Sequence, residues 1–206
     1  MPTLSDIRAR LRLDLDDGAS AIWADADLDR HISRALRELS AKLPQQKKST
    51  LVTTPGSRDL ALTTLTDRIE IEAVEYPTLN YPQTFVRFSV WVATLTLLID
   101  GVPGTENVFV YWTAQHVLDG SGTTLPSAEE ELLALGAAGY ALMQQAASGV
   151  NTLNTGGANV DRDYGSQGRE ALREFRRELQ RRRGIRRREL YEPAEPLPSQ
   201  STDPGP

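Results

Sequence analysis

The chain has 206 residues, 39% hydrophobic and 25% charged, which is room for one domain with a genuine core. Cysteine is absent, which excludes disulfides and thiolate metal sites and suits a reducing compartment. The net charge of −5 is unevenly spread: from Arg162 to Glu189 eleven arginines face five acids, a local +6, so the other residues carry −11. Such polarity points to docking on something negative: nucleic acid, an acidic protein surface, or other copies of the chain.

The N-terminus, Met-Pro-Thr-Leu-Ser-Asp, lacks a basic stretch followed by an apolar one, so no secretory signal is expected. The longest nearly apolar run, Val90 to Ile99, is half of the roughly 20 residues that cross a bilayer. A soluble protein, cytoplasmic where it is made, is expected.

Residues 3–15 read as a short helix, with Thr3 and Asp6 placed for a capping box and Leu4, Ile7, Leu11 and Leu15 at helical spacing. A second helix follows, with Asp25 as its expected N-cap and Trp23 as a staple before it. Its apolar stripe is Leu28, Ile32, Ala35, Leu36 and Leu39, and Arg30, Arg34, Arg37 and Glu38 fall off that stripe. Pro44 ends the run.

From Ser49 the period becomes two. Thr50–Thr54 and Arg58–Leu62 flank Pro55-Gly56, which reads as a hairpin turn. Alternation around Ile69 and Ile71, Val86 to Val90, Leu95 to Ile99 and Val108 to Trp112 brings the count to about six short strands. Helix resumes at Ser127, whose pairing with Glu130 reads as a capping box, and runs to about Ala147. Gly136 and Gly139 inside it predict close approach by another backbone. Residues 149–168 read as a glycine-rich loop or a frayed helix, and a last helix is expected from about Gln167 to Arg183.

The fold class is therefore α+β: a helical bundle of about four helices, an inserted antiparallel β sandwich or small barrel, and an extended Pro-rich C-terminal tail. Residues 1–48 and 121–191 are expected to form the bundle, 49–120 the β insert and 192–206 the tail. The tail holds five prolines and almost no apolar residue, so it orders only by lying on a partner.

No catalytic, cofactor or metal set stands out. His31 and His116 are too few and too isolated for a metal site and read as structural. Asp14, Asp16, Asp17 and Gly18 break the spacing of a calcium loop and read as a solvated turn. Thr155-Gly156-Gly157 has no Gly-Lys-Ser/Thr after it, so it is not a phosphate loop. The β-region aromatics Tyr76, Tyr81, Phe85, Phe88, Trp91, Phe109, Tyr111 and Trp112 could stack bases. Their strands are acidic, however, which favours a β core with some interface residues.

Six arginines, Arg181, Arg182, Arg183, Arg186, Arg187 and Arg188, fall within eight residues. They suit a solvated helix end, phosphate binding, or a charge-complementary protein dock into which the tail follows.

Beyond these local readings, Ile22 to Leu36, Glu75-Tyr-Pro, Tyr81-Pro with Val86-Arg-Phe, Val110-Tyr-Trp, Thr123-Thr-Leu-Pro-Ser and Leu135-Gly-Ala-Ala-Gly-Tyr-Ala resemble the head-to-tail adaptor (connector, head completion) proteins of tailed bacteriophages. The similarity covers roughly residues 5–180 and lies in packing and turn motifs, not in a catalytic signature. It implies a non-enzymatic structural virion protein without cofactors. Such a protein forms a homo-oligomeric ring of about twelve copies between the portal protein and a neck or tail completion protein, extending the channel through which DNA passes.

The resemblance also places the C-terminal segment at the portal: Arg181, Arg182, Arg183, Arg186, Arg187, Arg188, Leu190, Tyr191, Pro193, Pro196, Leu197 and Pro198. The location implied is the head–tail interface of the virion. The other reading of the residues is a DNA-binding packaging or regulatory protein that sets its last arginine-rich helix on phosphates.

Overall fold

The computed structural model describes residues 2–149 and 163–189, with the side chains of 149 and 184–189 outside the description. In chain order the elements are α1 (Leu4–Asp14), α2 (Asp25–Lys42), β1 (Gln45–Val52), β2 (Asp59–Ala61), β3 (Arg68–Glu75), β4 (Phe88–Trp91), β5 (Thr94–Leu97), β6 (Asn107–Ala114), α3 (Ser127–Gly149) and α4 (Tyr164–Glu189). Four helices and two small antiparallel sheets make the fold α+β.

The helices enclose one core. The α2 stripe of Leu28, Ile32, Ala35 and Leu39 meets Ile7 and Leu11 of α1, Leu133, Ala137 and Ala141 of α3, and Phe175 and Leu179 of α4. Thr3 forms the expected capping box with Asp6. Two other expected caps differ. Ala24, not Asp25, is the N-cap of α2 and makes no side-chain bond. Asp25 is instead held by Arg8 at 2.7 Å and Arg12 at 2.6 Å, because two guanidinium groups outbid a backbone N–H for a carboxylate. Ser127 is the first residue inside α3, and Glu130 reaches Arg10 at 3.2 Å.

In the acid turn after α1, Asp14, Asp16 and Gly18 are exposed as expected, but Asp17 is not. Asp17 is buried, and its carboxylate accepts the backbone N–H groups of Ala21, Ile22 and Trp23 and the guanidinium of Arg12. Burial alone would raise its pKa; the three N–H groups and Arg12 outweigh that and hold it below the ordinary range.

α3 and α4 pack closely because three glycines remove the side chains between them. A Cβ on Gly136 would lie 2.9 Å from the Phe175 ring, and one on Gly139 would lie 2.8 Å from Leu172 Cγ and 3.1 Å from its backbone nitrogen. Gly168 of α4 plays the reciprocal part, with Gly139 O 3.1 Å from its would-be Cβ. The last helix starts earlier than the sequence suggests, at Tyr164, because the Asp163 carboxylate accepts the N–H of Ser166 at 2.9 Å and caps it. The stretch 150–162, expected to be loop or frayed helix, lies outside the described residues, as does the tail.

The strands form two three-stranded sheets, ordered β1-β6-β3 and β2-β5-β4. Both contribute to a second core: Ile71, Val74, Val108, Val110 and Trp112 from the first, Leu60, Leu95 and Leu97 from the second. This is the sandwich alternative. β1 pairs with β6 from Gln45↔Ala114 to Val52↔Asn107, so it begins four residues before the change of period at Ser49. The hairpin expected at Pro55-Gly56 is absent: β1 pairs with β6, whereas β2 pairs with β5. The turn carries the chain from one sheet to the other, with Gly56 at φ 82. Pro-Gly specifies a turn, and the register of the eight-residue β6 ladder decides which strand lies beside β1.

His116 joins the sandwich to the bundle. Its Nε2 lies 3.0 Å from Leu43 O, its backbone N–H donates to Ser40 Oγ at 3.1 Å, and its Nδ1 lies 3.1 Å from Thr124 Oγ1. Thr124 O also lies 3.2 Å from Nδ1, and the buried Glu129 carboxylate lies 3.7 Å from Nε2, so the ring is engaged on both sides by the chain's own groups.

Candidate docking surfaces

α4 carries the arginines along one edge of the bundle, and most of those with described side chains are tied to the chain's own acids. Arg176 Nε donates to Glu38 at 2.9 Å, Arg177 pairs with Glu174, and Arg181 pairs with Glu178 at 2.8 Å. Arg182 lies 3.9 Å from Glu178 and donates to Ala128 O at 2.5 Å, reaching the first turn of α3. Arg183 is exposed with no ion pair among the described residues. The backbone of Arg186, Arg187 and Arg188 continues α4, but their side chains lie outside the described residues. Leu190, Tyr191, Pro193, Pro196, Leu197 and Pro198 lie outside altogether.

Glu38 is a hub between helices. It accepts from the Tyr140 hydroxyl on α3 and from Arg176 on α4. Burial raises its pKa, but the Tyr140 hydrogen bond and Arg176 more than offset this and hold it below the usual glutamate range. Tyr140 is pushed up, by burial first and then by its bond to Glu38.

Beside this hub lies a half-open groove of about 440 Å³ between α2 and α3, lined by Arg30, His31, Arg34, Arg37, Tyr140, Met143 and Gln144. The Arg34 guanidinium sits 4.0 Å over the Tyr140 ring, and Arg30 donates to Gln144 Oε1 at 3.0 Å. Arg37 has no ion pair among the described residues. His31 is buried against Gln144. Its pKa is lowered, chiefly by burial, with Arg30 adding to the shift and the Gln144 bond opposing it. The groove is thus cationic through arginine while its histidine is kept neutral. The sequence carried a signal for it: Arg30, Arg34 and Arg37 recur at helical spacing off the apolar stripe of α2.

The β-region aromatics divide. Trp112 is buried at the centre of the sandwich, whereas Tyr81 and Trp91 stand almost wholly in solvent, at 101% and 84% exposure. Trp91 closes β4 at the tip of the β4–β5 hairpin, followed by the equally exposed Val92 at φ 53. A β-branched residue rarely adopts that conformation, and the first loop position of a two-residue hairpin with positive φ ordinarily takes glycine.

Among the described residues no group of three or more His, Asp or Glu side chains is placed to hold a metal ion. No helix there is long and apolar enough to cross a membrane. The surface offers docking chemistry: arginines along α4, a cationic groove, and an apolar hairpin tip. No curated protein matches the sequence. The SU10 adaptor protein family model matches residues 2–196, nearly the whole chain and the full length of both cores. The chain belongs to the SU10 adaptor protein family and is a structural head-to-tail adaptor of a tailed bacteriophage.

Proposed function

We propose that this adaptor assembles as a ring beneath the portal, docks on it through the C-terminal arm, and extends the DNA channel toward the neck or tail completion protein. The observation that carries this reading is the family match, which runs through the arginine cluster and on to Pro196. Residues 192–206 beyond the helix are proposed as a tail that orders on the portal.

The charge pattern supports a protein partner over DNA. Arg176, Arg177 and Arg181 are already paired with Glu38, Glu174 and Glu178, which leaves α4 a poor continuous cradle for phosphates. The acidic remainder of the chain lets DNA pass without adhering, since tight phosphate contacts retard it. A ring closes only when each subunit has two different complementary faces, and a polarised molecule can supply them.

Replacing Arg181–Arg183 and Arg186–Arg188 with glutamine tests the dock. The side chains of Arg181, Arg182 and Arg183 belong to neither core, and the melting temperature is expected to stay close to wild type while co-elution with the portal is lost. A variant that still docks at wild-type affinity would remove the arginines from the interface.

A further inference from the structure

The chain crosses between bundle and sandwich twice, at Leu43-Pro44 between α2 and β1 and at 115–126 between β6 and α3. The two cores share no residue, so these crossings are where one body is held to the other. His116 stands on the second crossing and is bonded to the first, and Glu129 of α3 faces it. We propose that His116 and Glu129 form a proton-dependent latch, an imidazolium–carboxylate pair that holds the sandwich on the bundle and loosens when the ring loses its proton.

The atoms around the ring are oxygens. Nε2 has Leu43 O at 3.0 Å and Glu129 Oε2 at 3.7 Å, and Nδ1 has Thr124 Oγ1 at 3.1 Å and Thr124 O at 3.2 Å. Carbonyls and carboxylates only accept. A neutral ring protonated at Nδ1 would turn the Nε2 lone pair onto Leu43 O and the carboxylate. A neutral ring protonated at Nε2 would turn the Nδ1 lone pair onto Thr124 O, with Thr124 Oγ1 as its donor. That hydroxyl also accepts the Val117 N–H at 2.9 Å. The doubly protonated ring instead donates on both sides, to Leu43 O and to Thr124.

Charge acts in the same direction. Burial by itself disfavours a charged imidazole, but an opposite charge within about 4–6 Å favours it. The two side chains are 2% and 7% exposed, so salt screens their attraction little. Glu129 lies in the first turn of α3, where the helix dipole suits a carboxylate. Its neighbour Glu130 is drawn to Arg10 at 3.2 Å instead. The groups that α2 brings to His116 are Ser40 Oγ and Leu43 O, and the crossing segment brings Thr124; none of these carries a charge. Glu129 is thus the titratable group set against the ring. His31 is the opposite case, kept neutral by burial first, with Arg30 adding to the effect.

The sign of the pH dependence follows. A ring held as imidazolium contributes fully below the ordinary histidine value of about 6.5, and the contribution is lost as pH rises through the folded-state midpoint. Losing the proton leaves the Glu129 carboxylate without its counter-charge and sets a lone pair against a carbonyl at the crossing. The latch therefore weakens toward alkaline pH, whereas the Asp17 cluster weakens toward acid.

Ring-nitrogen NMR shifts of the labelled full-length protein test this directly, with His31→Gln assigning the two histidines. His116 is expected to be doubly protonated at neutral pH while His31 is neutral. Glu129→Gln is expected to lower the His116 midpoint by about one pH unit or more, a loss of about tenfold in proton affinity. Amide hydrogen exchange reads the latch itself. Protection of the His116 N–H, which donates to Ser40 Oγ, is expected to fall at least about tenfold as pH rises through the midpoint, while the α3–α4 core keeps its protection. A neutral His116 at neutral pH overturns the pair, and so does a midpoint unmoved by Glu129→Gln. Protection that stays constant through the midpoint overturns the latch. If Glu129→Gln does not fold, the wild-type shifts and exchange decide alone.

Discussion

Three consecutive backbone N–H groups, those of Ala21, Ile22 and Trp23, have one carboxylate as their shared partner, that of Asp17. Oδ1 takes two of them, while Oδ2 takes the third and the Arg12 guanidinium at 2.8 Å. Asp17→Asn turns one acceptor into a donor that faces donors, and it is expected to cost about 1.5–3 kcal/mol, the range for hydrogen bonds to a charged group. The pH dependence follows from the depressed pKa: the contribution is full above the ordinary aspartate value and is lost as pH falls through the lower folded-state value. Urea unfolding of both proteins between neutral and acid pH checks this, with the gap narrowing as pH drops. A gap that stays constant into acid would show that the charge of Asp17 contributes nothing. The sequence displayed the acid cluster but not the burial of Asp17, because whether an aspartate faces water depends on where Trp23 and α1 meet, which is a tertiary fact.

At the scale of elements, the α3–α4 contact is where close packing matters most. Alanine at Gly139 gains up to about 1 kcal/mol of helix propensity. Against it stands the Leu172 backbone nitrogen, 3.1 Å from the new Cβ, which moves only if α4 moves. Overpacking of this kind costs about 1–3 kcal/mol, so Gly139→Ala should lower stability in a denaturant titration despite its better propensity. A rise in stability would mean that the two helices can separate freely.

These glycines were legible in the sequence as a close approach, as were α1, the apolar stripe of α2 and the number of strands, because helical and strand periodicities are local signals. Strand partnership was not legible. Pro55-Gly56 marks a turn, but whether a turn joins partners or crosses between sheets depends on a ladder formed with β6, some fifty residues away in the chain. The groove was half legible: the arginine spacing on α2 was visible, whereas Tyr140 and Gln144 come to it from α3.

For the whole molecule, the uneven charge gives the chain one cationic arm, one cationic groove and an acidic remainder, a set of faces suited to assembly. Assembly on a portal template would raise local concentration, so contacts too weak to hold a free ring would hold a docked one. The arginine cluster announced the arm from sequence alone, since charge density needs no fold to be seen. The hairpin tip could not be read that way: Trp91 and Trp112 look alike in an alternating strand pattern, and only the sheet order makes one an edge residue and the other a core residue.

The most direct test of the adaptor reading is size exclusion followed by negative-stain imaging. This protein is mixed with a portal protein from the same phage at ~0.15 M salt, where exposed charges more than about 8 Å apart are largely screened. The account predicts a co-eluting species with an added ring layer on the portal, whose symmetry the images give directly. No association with the portal, together with salt-sensitive binding to duplex DNA, would contradict it and make the arginines phosphate contacts.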